Sequence, residues 1–168
     1  MGLNLQNLHM TKVTRTTATL SIAVSGTPQV ISFEAAVVGG TPVFGGPTNA
    51  ALWLLAAPTR ITIQKNGWYN FFGGVEFAAN ATGDREIYFY KNGVVAPLGG
   101  VSVKSSTVLN RLATSTYIRL VRGDYMELWV NQTCTAALNV NTTAASETPY
   151  FACCLIRPEY DFVTSEVQ

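Results

Sequence analysis

The chain has 168 residues, 48% of them hydrophobic and only 12% charged, with Lys plus Arg against Asp plus Glu at 11 to 10. That length supports one domain with a real core rather than two, and scattered bases nearly balanced by acids leave no electrostatic footprint for nucleic acid or an anionic membrane. No apolar run reaches the length of a bilayer-spanning helix, so a mean hydropathy of +0.20 predicts a soluble chain that hides apolar surface against other subunits.

Residues 1–14 read as a polar, mixed arm carrying Leu3, Leu5, Leu8 and the single histidine, His9. The arm lacks the charged start and unbroken apolar stretch of a signal peptide, which predicts synthesis and residence in a cytosol. From there the pattern is all-β. β-Branched and aromatic residues are abundant, Gly and Pro recur about every ten residues, and no long segment keeps a 3.6-residue apolar period. Strands are predicted over 16–24, 29–38, a short piece of 51–55, 59–64, 67–79, 85–92, 101–109, 115–121, 124–132, 137–141 and 149–157. Turn clusters separate them. Asn-Gly after an alternating run is a strong hairpin signal, and it occurs at Asn66-Gly67 and Asn92-Gly93. The domain is predicted to run over 15–158, followed by a tail at 159–168.

Arg122-Gly123-Asp124 spells a tripeptide that adhesion ligands present to integrins. It also lies between two alternating runs, where a tight hairpin needs a residue tolerant of positive φ. The turn accounts for Gly123 without any receptor.

Little here suits catalysis or metal binding. Cys134, Cys153 and Cys154 have neither a paired framework nor metal-ligand spacing, and they read as small buried hydrophobes. A histidine-based triad or acid–base pair would have to use His9 in the arm. The one close carboxylate pair on a shared face, Asp84 and Glu86, reads as a solvated hairpin rather than a glycosidase dyad. The Asn-x-Thr sequons at Asn80, Asn131 and Asn141 read as accidents of a chain rich in Asn and Thr. No catalytic residue, metal or cofactor is expected.

Several pieces in order carry a resemblance: a strand leading into Gly67 and Tyr69, a long strand ending in Val75-Glu76-Phe77, then Arg85 and the Lys91-Asn92-Gly93 hairpin. A strand pair joined by Gly123-Asp124 and an aromatic-rich last strand complete it. Together these resemble the TNF-like, complement C1q-like jelly roll over about residues 17–157. The forms Asn80-Ala81-Thr82-Gly83-Asp84-Arg85 and Lys91-Asn92-Gly93 are most similar to versions in bacteriophage virion proteins. The resemblance implies a two-sheet antiparallel sandwich, five strands in each sheet, assembling as a trimer about a threefold axis.

Alternation places Tyr69, Phe71, Val75 and Phe77 on one face of their strand, with Trp68, Phe72 and Glu76 on the other. By resemblance, Phe72 and Tyr150 lie at the trimer interface, and Tyr117 and Arg119 point the same way; ordinary monomer core is the other reading of Phe72 and Tyr150. On the opposite sheet Tyr88, Tyr90, Tyr125 and Trp129 are expected to form an outward aromatic cluster for a protein partner or for stacking on a host surface glycan. A terminal arm or the loop containing residues 97–103 could instead cover it.

The leading expectation is a bacteriophage structural protein of the virion, a trimeric decoration or cement protein on the outside of the capsid and not an enzyme. Its partners would be itself and the major capsid protein or another virion protein, with Leu3, Leu5 and Leu8 of the arm touching the shell. The alternative is a host-recognition module of a head or tail fibre. Nucleic acid and membrane are not expected as partners.

Overall fold

The computed structural model describes residues 10–15, 19–24, 26–36, 53–140 and 149–159. These form twelve strands: β1 (Met10–Thr14), β2 (Leu20–Ile22), β3 (Gln29–Val30), β4 (Ala35–Ala36), β5 (Arg60–Thr62) and β6 (Gly67–Phe77), then β7 (Arg85–Lys91), β8 (Val94–Val103), β9 (Asn110–Leu120), β10 (Tyr125–Gln132), β11 (Leu138–Val140) and β12 (Tyr150–Pro158). No helix occurs among the described residues.

The strands make two antiparallel sheets. The larger has seven strands in the order β2-β11-β6-β12-β1-β4, with β9 paired along the other edge of β6. The smaller has five, in the order β3-β10-β7-β8, with β5 beside β3 on the free edge of β10. The described residues therefore form an all-β jelly-roll sandwich of seven and five strands. The count differs from five and five because the short β2–β11 pair extends the larger sheet past Phe77.

Period-two alternation builds the core. Tyr69, Phe71, Val75 and Phe77 of β6 are buried against Ile87 and Phe89 of β7 and Met126, Leu128 and Val130 of β10. At the centre, the Phe151 ring lies 5.8 Å from Phe71, 5.7 Å from Phe89 and 5.9 Å from Phe33, so four rings bridge both sheets. Gly73 makes that closeness possible: a Cβ there would lie 2.5 Å from Leu128 Cδ1 of the facing sheet. The Tyr69 hydroxyl reaches the Lys65 carbonyl at 2.8 Å, and burial pushes its pKa up to about 12.

Four sequence expectations need correction. Residues 10–14 belong to the sandwich, not to an arm, because Thr11 and Val13 are buried and the whole segment pairs with β12. The run 29–38 is not one strand: it leaves the smaller sheet after Val30, and Ala35–Ala36 joins β1 in the larger. The described part of the 51–55 piece is not a strand: it leads into a turn over 55–59 anchored by buried Trp53, whose indole N–H donates to the Pro58 carbonyl at 3.2 Å. Finally, the strand expected at 101–109 starts at Val94 and ends at Val103, with two register shifts along β7 that accommodate Pro97, Gly99 and Gly100.

Candidate functional site

The outer face of the larger sheet is assembled by register alone. In β6 the outward positions are Trp68, Asn70, Phe72, Gly74 and Glu76, and β9 sets Arg119, Tyr117, Ser115, Ala113 and Arg111 directly beside them. On the other flank, β12 sets Ala152 beside Phe72 and Tyr150 beside Gly74. Phe72, Tyr117, Arg119 and Tyr150 thus share one face. Phe72 is 38% and Tyr117 55% exposed, unusual for aromatic side chains in mid-strand.

The face has its own internal order. Tyr117 stacks on Trp68 with ring centroids 5.1 Å apart, and the Arg157 guanidinium lies over the Trp68 ring at 5.6 Å. Arg119 grips Glu159 through two hydrogen bonds of 2.7 and 2.6 Å. The hydrogen bond from Arg119 holds the Glu159 carboxyl below its ordinary value and raises the guanidinium in turn. Tyr150 lies flat over the bare backbone of Gly74, where any Cβ would collide with its ring, and Lys12 sits 5.3 Å from that ring's centre. Alternation already assigns Trp68 to this face, whereas Arg157 reaches it only through the register of β12 on β6, which no local sequence pattern encodes.

The opposite sheet corrects an expectation. Tyr88, Tyr90 and Trp129 do cluster, with Tyr88–Tyr90 centroids 5.3 Å and Tyr90–Trp129 centroids 4.8 Å apart. However, Tyr88 and Tyr90 are only 7% and 3% exposed, so they offer no open platform. Burial, with a hydrogen bond to Tyr90, drives the Tyr88 pKa far upward. Trp129 and Tyr125 are half-buried and already engaged: the Trp129 indole N–H donates to Glu127 at 3.2 Å, and Arg60 covers the Tyr125 ring at 4.9 Å. The outward position of a side chain on its strand does not mean exposure, because Tyr88 and Tyr90 pack on each other within β7 and Tyr90 packs on Trp129 of the adjacent β10.

The 122–124 turn has a clear internal role. Gly123 takes a φ of +95°, a conformation that side-chain-bearing residues rarely adopt. Asp124 accepts from the Asn92 amide at 2.7 Å, from the Val121 N–H at 3.0 Å and from Lys91 at 2.9 Å. Asn92 also accepts from the Tyr125 N–H at 2.8 Å, so the two Gly-containing turns are clamped together. Burial alone would raise the Asp124 carboxyl, but these donors outweigh it and hold it below its ordinary value. The carboxylate that an integrin-type ligand must present is engaged inside the protomer.

At the other end, Arg85 is fully buried and donates to the carbonyls of Thr82 and Gly83 at 3.0 Å, tying down the 80–84 loop. Cys134 and Cys153 are buried and Cys154 is half-buried; burial raises the thiols of Cys153 and Cys154. Asp84 and Glu86 are engaged separately, Asp84 with Lys104 at 3.9 Å and Glu86 with the Asn131 amide at 3.0 Å. No group of three or more His, Cys, Asp or Glu side chains gathers to hold a metal among the described residues. Leu3, Leu5, Leu8 and His9 lie outside the described residues.

Comparison with solved structures shows the fold. Murine APRIL at pH 5.0 superposes with a TM-score of 0.62 at 10% identity, covering 89% of this chain and all of that one. Eiger TNF from S. frugiperda superposes with a TM-score of 0.60 at 12% identity, covering 95% of this chain and 99% of that one. No sequence-family model and no characterised protein matches the chain by sequence. The fold is thus the TNF-like jelly roll.

Proposed function

We propose that this protein is a non-enzymatic structural protein of a bacteriophage virion, a homotrimer that decorates the outside of the capsid. The observation that carries the self-assembly part is the outer face of the larger sheet, where Phe72 and Tyr117 remain exposed beside the Trp68 stack. Each ring can bury on the order of 150–250 Å², so three copies meeting about an axis would remove a large apolar area from water. The phage assignment draws support from the sequences Asn80 to Arg85 and Lys91 to Gly93, which resemble virion jelly rolls. A decoration protein acts by mass action: binding only the assembled shell, it favours that shell over separated capsomers.

Host recognition through glycan stacking is the weaker reading, since Tyr88 and Tyr90 are buried. The test is to mix the purified protein with undecorated heads and with host cells. Saturable binding to heads that raises their resistance to heat supports decoration. Binding to cells and none to heads would replace it with recognition.

A further inference from the structure

The distribution of bases over the fold is uneven. Arg15, Lys91, Lys104, Arg111 and Arg119 each reach a carboxylate. Lys12, Arg60 and Arg157 lie over aromatic rings, and Arg85 is absorbed by loop carbonyls. Among the described residues only Lys65 and Arg122 have neither kind of partner for their charged groups.

These two are neighbours. The Asn66 side-chain oxygen, one residue from Lys65, accepts from the Arg122 N–H at 2.8 Å, and the Gly123 N–H donates to the Ile63 carbonyl at 2.9 Å. Arg157 joins them, because the Glu159 N–H donates to the Asn66 carbonyl at 3.0 Å and brings the end of β12 alongside. The acids nearby, Asp124 and Glu159, are already neutralised by Lys91 and Arg119. Among the described residues, this end of the sandwich therefore presents a surplus of positive charge although the chain carries a net charge of only +1. Among the described residues the opposite end shows no such surplus: exposed Lys104 there sits 3.9 Å from Asp84.

We propose that this end, with Lys65, Arg122 and Arg157 around the 122–124 turn, is a docking surface for an acidic protein surface. Its composition favours protein over nucleic acid. Val121 stands exposed next to Arg122, and an Arg over a Trp is the kind of group that concentrates binding energy between proteins. A phosphate backbone is met instead by many contiguous cations. The surface meets the self-assembly face along Trp68 and Arg157, while Lys65 and Arg122 lie at the turn end, and it does not depend on the function proposed above. If the chain does form a trimer, the patch recurs three times and gains from multivalency.

The experiment measures binding of the full chain to a labelled polyglutamate peptide by fluorescence anisotropy, over a series of salt concentrations. Three proteins are compared: the wild type, the double variant Lys65→Glu with Arg122→Glu, and Lys104→Glu at the opposite end. The wild type and Lys104→Glu should bind alike, with affinity falling as salt rises, and the double variant should bind about tenfold or more weakly. Equal losses in both variants, unchanged binding by the double variant, or no salt-sensitive binding by the wild type would overturn the proposal. Tighter binding of a single-stranded oligonucleotide than of the peptide would overturn the assignment to a protein partner.

Discussion

Asp124 shows what a short motif can mean once its neighbours are known. Three donors converge on its carboxylate, and they join turns 32 residues apart in sequence. Replacing it by Ala should cost about 1–2 kcal/mol in urea denaturation at neutral pH. The sign of the pH dependence follows from the depressed carboxyls of Asp124 and Glu159. Their contribution is complete above the ordinary carboxylate range, about pH 4, and is lost as pH falls through their lower folded values. The stability gap between wild type and Asp124→Ala should therefore narrow below about pH 4; a gap that widened on acidification would contradict the clamp. That a turn sits here is legible from Gly123 between two alternating runs. That Asp124 belongs to it structurally is not, because Lys91 and Asn92 become its partners only when β7 and β10 pair.

At the scale of the strand, β6 does two jobs with adjacent glycines. Gly73 faces inward and lets Leu128 and Phe89 close in, while Gly74 faces outward and leaves room for the Tyr150 ring. Gly73→Ala should destabilise the fold by about 1–3 kcal/mol through overpacking, and Phe71→Ala by about 3–5 kcal/mol through the cavity left beside Tyr69, Phe89 and Phe151. Gly74→Ala should instead displace Tyr150 from the outer face and weaken self-association more than folding. Comparing thermal melts with sedimentation separates the two effects. The phase of β6 is legible from its alternation, as are β7, β9 and β10 in outline. β1 is too short to announce itself, and its five residues are a strand only because β12 lies alongside. β8 is obscured by Pro97 and Gly99, which an edge strand tolerates through its register shifts.

For the molecule as a whole, order and spacing of strands outweigh residue identity: the same fold is reached at 10% and 12% identity. This is why the jelly roll is legible in a chain that shares few particular side chains with those structures, whereas its surfaces are not. Tyr88 and Tyr90 are buried where they pack on each other along β7 and Tyr90 packs on Trp129 of β10, contacts that alternation cannot reveal. The face bearing Phe72, Tyr117, Arg119 and Tyr150 is the reverse case, an outward surface on which Phe72 and Tyr117 stay exposed. Phe72→Asp together with Tyr117→Asp should leave the melting of the protomer core little changed and abolish association. The most direct test is sedimentation velocity of the wild-type chain at micromolar concentration. One species at three times the 18.1 kDa protomer mass is predicted, whereas a wild type that sediments as a monomer would contradict self-assembly through this face.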